Sequence, residues 1–228
     1  MSGLEIRHGS IVRYGREIVR PATLQFEGGR CIGLIGLNGA GKSTWLYGIA
    51  GLIPDTGVAI RFGERPVESF GLTLQHPSLP EWVTVGEVLQ LLVRPAPSLP
   101  ALVERWPIGP LLSRKAGHLS KGETQLIASI IALESRAALR CFDEPFAALD
   151  LKRRRDLIHR LVDLRRHSDA VTILTAQVAS DLFETCTDIL MLRDGQLSVL
   201  GPVAELSAAA LRDPRVVFEE RLVSLLTE

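Results

Sequence analysis

The stretch Gly36-Leu-Asn-Gly-Ala-Gly41-Lys42-Ser43 has the spacing G-x-x-x-x-G-K-[ST]. It follows an apolar run and precedes a helical pattern, which is the context this motif needs. Glycines let backbone N–H groups turn inward around phosphate oxygens, and the helix that follows adds its positive dipole end. Lys42 then pairs with the β- and γ-phosphates, and the Ser43 hydroxyl ligates Mg²⁺. A second cluster, Leu139-Arg-Cys-Phe-Asp143-Glu144-Pro145, puts two adjacent carboxylates at the end of a mostly apolar strand. An isolated Asp-Glu pair after a strand is usually a turn. Downstream of a phosphate-cradling loop it reads as chemistry, with Asp143 holding Mg²⁺ through water and Glu144 polarising an attacking water. Arg140 is out of place in such a strand and is expected to face the margin of the sheet.

The elements that must position these groups can be read from periodicity. Leu4–Ile6, Ile11–Val12 and Thr23–Phe26 read as short strands with a turn at Gly28-Gly29. Cys31–Ile35 is apolar throughout, as a strand buried on both faces must be. A helix is expected from about Lys42 to Gly51, and further strands at Val58–Phe62 and Gly71–Leu74. From Gln75 to about Leu133 seven prolines, from Pro77 to Pro110, punctuate short helices such as Val85–Val93, so a helical subdomain is expected there. A long helix starts near Ser120. Strand–helix alternation then resumes with Leu139–Phe142, Asp150–Arg166, Val171–Thr175 and Ile189–Leu192, and the last ~25 residues read as one or two amphipathic helices. The class is α/β with helices inserted into it.

Composition excludes several functions. Lys+Arg 26 cancels Asp+Glu 26, so no net field gathers nucleic acid, and no nucleic-acid partner is expected. The run Lys152-Arg153-Arg154-Arg155 precedes apolar residues at helical spacing and reads as a solvated helix face. Three scattered cysteines with no CxxC spacing fit a reducing compartment and argue against disulfides or zinc. The N-terminus is no signal peptide, and no stretch of ~18 apolar residues occurs, so a soluble chain is expected, one that would serve a membrane only through a partner.

The glycine-rich loop, "LSKGE", "FDEP" and "ALD", in this order, resemble an ATP-binding cassette (ABC) ATPase subunit over roughly residues 4–206. The resemblance implies a P-loop NTPase core with an N-terminal antiparallel β-subdomain and an inserted α-helical subdomain. It divides the chain into a nucleotide-binding core at 1–74 and 136–206, a helical subdomain at 75–135 and a C-terminal helical tail at 207–228. It also implies ATP and Mg²⁺ as cofactors. Asn38, Gly39, Ala40, Gly41, Lys42, Ser43 and Thr44 become the phosphate-binding stretch, and Ser43, Gln75 and Asp143 the Mg²⁺ site. Tyr14, in "VRYGRE", resembles the aromatic residue that stacks on adenine, although a tyrosine in a strand is more often packing. Gln75 resembles the glutamine that senses Mg²⁺ and the attacking water, and Asp150 the aspartate by which each monomer touches the other's site. Ser120 and the helix start behind it would contact the γ-phosphate of ATP held by the opposite subunit, with Gly122 keeping that approach close.

Two positions depart from the family pattern. Lys121 replaces a common glycine, where a side chain can point outward and a cation is not repelled by triphosphate. Ala176 stands after the late strand where the family has a histidine that orients the water, and Gln177 is the candidate substitute. Hydrolysis is therefore expected from Glu144, Gln75 and Gln177, slowly or with help from a second subunit. The leading expectation is an ATP-hydrolysing subunit of a membrane transporter, peripheral on the cytoplasmic face of the inner or plasma membrane. It would pair as homodimer or heterodimer with a second cassette and drive separate integral membrane subunits. The Ser-Lys-Gly signature leans toward an exporter. Alternatives are a soluble non-transport ABC ATPase and a hydrolysis-impaired regulatory cassette. The final helix, around Val216–Leu226, either braces the dimer or caps the core, the cap being favoured.

Overall fold

The computed structural model describes residues 3–208 and 213–227; residues 1–2, 209–212 and 228, which fall within the expected core and tail, lie outside the described residues. The apolar runs become strands and the periodic stretches helices. In chain order the strands are β1 (Gly3–His8), β2 (Ile11–Arg13), β3 (Arg16–Val19), β4 (Ala22–Glu27), β5 (Cys31–Ile35), β6 (Ala59–Phe62), β7 (Arg65–Pro66) and β8 (Phe70–Thr73). They continue with β9 (Leu139–Phe142), β10 (Val171–Thr175), β11 (Asp188–Arg193) and β12 (Gln196–Pro202). The α-helices are α1 (Lys42–Ile49), α2 (Val85–Leu92), α3 (Leu99–Arg105), α4 (Lys121–Glu134), α5 (Leu151–His167), α6 (Ala179–Thr185), α7 (Val203–Leu206) and α8 (Pro214–Thr227).

The fold is α/β. An antiparallel sheet in the order β4-β1-β6-β7, with the hairpin β2-β3, forms the N-terminal β layer. The second sheet runs β12-β11-β5-β10-β9-β8, parallel from β11 to β8, with β12 antiparallel at one edge. β5, β9 and β10 are buried at every position, which explains the unbroken apolar run of β5 and the mostly apolar β9 and β10. Helices α2, α3 and α4 are inserted between β8 and β9, and α4 packs directly on both strands. Two apolar cores result. Trp45, Leu46 and Ile49 of α1 join the β layer to one face of the large sheet, while Trp106, Leu126, Ile130, Phe142 and Leu157 fill the other face under α4 and α5.

The structure corrects several expectations. Arg140 does not face the sheet margin. β9 lies one strand in from the edge, and Arg140 is buried, its Nη2 donating to the Ser135 carbonyl at 2.8 Å. Room exists because its register partner on β8 is Gly71, whose missing side chain leaves space for the arginine stem. Burial lowers the Arg140 pKa, and Glu134 partly opposes that. The basic run at the start of α5 is not merely a solvated face, because Arg154 pairs with the buried Asp181 carboxylate and Arg153 with Glu123 and Asp150. Strand β3 and helices α3 and α6 had no distinct reading. Tyr14 lies in the turn between β2 and β3 rather than in a strand. No helix among the described residues is long and apolar enough to cross a membrane.

Candidate functional site

Strand order decides which loops can meet. β5, β10, β9 and β8 are consecutive and parallel, so the four segments leaving their C-terminal ends are neighbours along one edge of the sheet. Those segments are the glycine-rich loop after β5, Ala176-Gln177 after β10, Asp143-Glu144 after β9 and Leu74-Gln75 after β8. A crevice at the carboxyl edge of a parallel sheet is where such folds bind ligands.

The loop carries backbone conformations that only glycine takes without strain. Gly39 has φ 80° and Gly41 φ 102°, and a Cβ on Gly41 would lie 2.4 Å from Ile18 Cγ2. Asn38 is exposed, Ala40 closes a turn onto the Leu37 carbonyl, and Ser43 and Thr44 sit in the first turn of α1, where backbone amides lack helical partners. Lys42 Nζ donates to the Gly36 and Leu37 carbonyls at 2.8 and 3.1 Å, which places the ammonium in the mouth of the loop. Burial lowers its pKa, and the Glu144 and Asp143 carboxylates oppose the shift.

Asp143 is 1% exposed, and two hydroxyls hold its carboxylate: Tyr47 donates to Oδ2 at 2.8 Å and Thr175 to Oδ1 at 2.9 Å. Glu144 has φ 49°, a left-handed conformation uncommon for a residue with a side chain. Its amide donates to Thr175 Oγ1 at 2.8 Å, which secures that conformation. The carboxylate points back into the crevice, where one oxygen accepts from Gln75 Nε2 at 3.0 Å and from Gln177 Nε2 at 2.6 Å. Lys42, Glu144, Ala176 and Gln177 line one side of a cavity of about 580 Å³, and Glu219 and Leu222 of α8 line the other.

The remaining expected residues lie apart from this cluster. Tyr14 is 95% exposed, which rules out its reading as packing, and the Arg13 guanidinium lies 5.4 Å from its ring centroid. Ser120 caps α4 in a reciprocal box: its Oγ accepts from the Glu123 amide at 3.2 Å, and Glu123 accepts from the Ser120 amide at 2.8 Å. Asp150 caps α5 by accepting from the Arg153 amide at 2.9 Å. Arg153 pairs with both Asp150 and Glu123, so the two helix starts are tied together. Gly122 also has a packing role within the chain. A Cβ there would lie 2.5 Å from the Ala148 carbonyl, so it permits close packing of α4 against the segment before Asp150. Among the described residues no hydrogen bond joins Ser120, Gly122 or Asp150 to Lys42, Asp143 or Glu144. Tyr47 and Thr175 were missed by sequence reasoning; no spacing signals them, because their partner is set by strand order.

A family model described as ABC transporter matches residues 19–147, more than half of the chain. The molybdenum import ATP-binding protein ModC of Aromatoleum aromaticum is 29% identical over 81% of this chain, which spans 54% of that relative's length. The hemin import ATP-binding protein HmuV of Streptomyces coelicolor is 30% identical over 86% of this chain and 77% of its own. A solved ATP binding subunit of an ABC transporter superposes with a TM-score of 0.80 at 24% identity, over 99% of both chains. Both curated relatives carry "import" in their names, so the exporter leaning taken from the Ser-Lys-Gly run has no counterpart in them.

Proposed function

The chain belongs to the ABC transporter family, and from that premise we propose that it binds and hydrolyses Mg-ATP to drive separate membrane subunits. The observation that carries the reading is the convergence of Gln75 and Gln177 on the Glu144 carboxylate, beside Lys42. Backbone amides of residues 38–44 would hold the phosphates, and Lys42 would exchange the Gly36 and Leu37 carbonyls for phosphate oxygens. The donor set suits Mg²⁺, which takes one or two carboxylates, hydroxyls and phosphate oxygens rather than an all-protein cage. Ser43, Gln75 and Asp143 would hold the ion, which when bound neutralises charge developing on the phosphates.

Glu144 would accept the proton of the attacking water. Gln75 and Gln177 would fix the carboxylate's rotamer, with Gln177 taking the place of the histidine that Ala176 lacks. Tyr14, exposed on its hairpin, is free to stack on adenine. Ser120, Gly122 and Asp150 would complete the site of a second cassette, identical or not. The core would be residues 1–74 and 136–206, the lever the helices of 75–135, and the tail 207–228. Partners would be integral membrane subunits, with the chain peripheral on the cytoplasmic face.

The test is steady-state Mg-ATP hydrolysis by the chain beside Glu144→Gln, Gln177→Ala and Ala176→His. Loss of a positioned base costs about 10²–10⁴-fold, so Glu144→Gln should fall to background. Gln177→Ala should lose about tenfold, the scale of one hydrogen bond to a charged group, and Ala176→His should gain little. A silent parent together with an active Ala176→His would overturn the role of Gln177 and make this a cassette that depends on another for catalysis.

A further inference from the structure

Tyr47 lies outside every motif assigned above, yet its phenol holds one of the segments that build the site and lies beside a second. It sits on α1, directly behind the glycine-rich loop, and its O–H donates to Asp143 Oδ2 at 2.8 Å. The Gln75 backbone lies near enough to the phenol to act on it electrostatically. The other Asp143 oxygen is taken by Thr175, whose hydroxyl also receives the Glu144 amide. A carboxylate with one donor can still turn about its terminal torsion, which is broad and nearly free; donors on both oxygens fix its plane. Asp143 is 1% exposed, so water cannot freely replace a donor that is lost.

We propose that Tyr47 is a positioning residue for the metal-nucleotide site, fixing the Asp143 carboxylate and tying α1 to the end of β9. The inference rests on the reading of the crevice as an Mg-ATP site. The phenol reaches none of the phosphate-binding amides of residues 38–44, so its removal should leave binding of metal-free nucleotide alone and weaken only what Asp143 contributes.

The experiment titrates a fluorescent ATP analogue into wild type and Tyr47→Phe, with EDTA and across a range of Mg²⁺. Phe keeps the ring and removes only the hydroxyl. The Mg²⁺ concentration at half-maximal tightening should rise about tenfold, the scale of a hydrogen bond to a charged group, with EDTA affinity within about twofold. In turnover, kcat should fall while KM for ATP barely moves. An unchanged Mg²⁺ midpoint overturns the proposal, and so does a loss of EDTA affinity in parallel with melting temperature, which would mark plain packing. Should Tyr47→Phe not fold, wild type labelled with 3-fluorotyrosine gives the answer, because the chain has only 2 tyrosines. With Tyr14→Phe assigning the pair, the Tyr47 resonance must move when Mg²⁺ joins bound nucleotide, and a fixed resonance overturns the proposal. Wild type that binds no ATP at all refutes the function reading itself; Mg²⁺-tightened binding that is indifferent to Tyr47→Phe refutes this inference alone.

Discussion

Gly122 shows how one atom's worth of space can join two motifs. In the interior of an exposed helix, glycine to alanine gains about 1 kcal/mol of propensity. At this position the new Cβ would sit 2.5 Å from the Ala148 carbonyl carbon's oxygen, a separation real side chains do not adopt. Overpacking typically costs about 1–3 kcal/mol, so the clash outweighs the propensity. Gly122→Ala should lower the denaturant midpoint by an amount worth about 1–2 kcal/mol. A more stable variant would mean that the segment carrying Ala148 yields freely. The residue had been singled out from the motif, but this packing constraint was invisible there, since the carbonyl it meets lies on another loop. Lys42, Asp143 and Glu144 were legible because residue type and local spacing imply their chemistry. Tyr47 and Thr175 were not, because tyrosine on a helix and threonine in a strand are ordinary until strand order puts both against one carboxylate.

At the scale of elements, the start of α4 was readable because Ser120 and Glu123 form a local signal, whereas β3 was not, being short and without clean alternation. The docking of α1 on β1 could not be foreseen either. It runs through His8, 3% exposed, whose Nδ1 faces the Gly9 carbonyl at 2.7 Å and whose Nε2 accepts from Trp45 Nε1 at 2.9 Å. That pairing requires the neutral ring protonated on Nδ1. Burial lowers the His8 pKa below 6.5, with the Gly9 carbonyl opposing. In the unfolded chain the group titrates near its ordinary value, so between the two values the unfolded state binds more protons and stability rises with pH. The contribution is complete above 6.5, declines as pH falls, and is gone below the folded value. Melting temperature should therefore drop between pH 7 and about 5, and His8→Gln should flatten that slope while lowering the value at neutral pH. Parallel slopes in the two proteins would assign the acid sensitivity to other groups.

For the whole molecule the open question is what α8 is for. Phe218 is fully buried, packing 5.7 Å centroid to centroid from Phe183 of α6, and Leu222 is 4% exposed. Arg215 adds an ion pair to Glu184 at 2.8 Å. These contacts seat α8 on α6, and Glu219 and Leu222 also wall the cavity beside Lys42. Assembly and packing can be separated. If ATP is sandwiched between two cassettes, Glu144→Gln should trap it, and light scattering should show the mass doubling with ATP and not with ADP. Lys121→Glu in that background puts an anion on an exposed first-turn residue of α4 and should suppress the doubling, with no loss of stability beyond about 0.5 kcal/mol. Phe218→Ala should do the reverse. Truncating a buried phenylalanine costs about 3–5 kcal/mol, a loss that belongs to the monomer, so the denaturant midpoint should fall while the protein still folded doubles with ATP as before. A Phe218→Ala chain that keeps its stability but no longer doubles would make α8 a brace between cassettes instead.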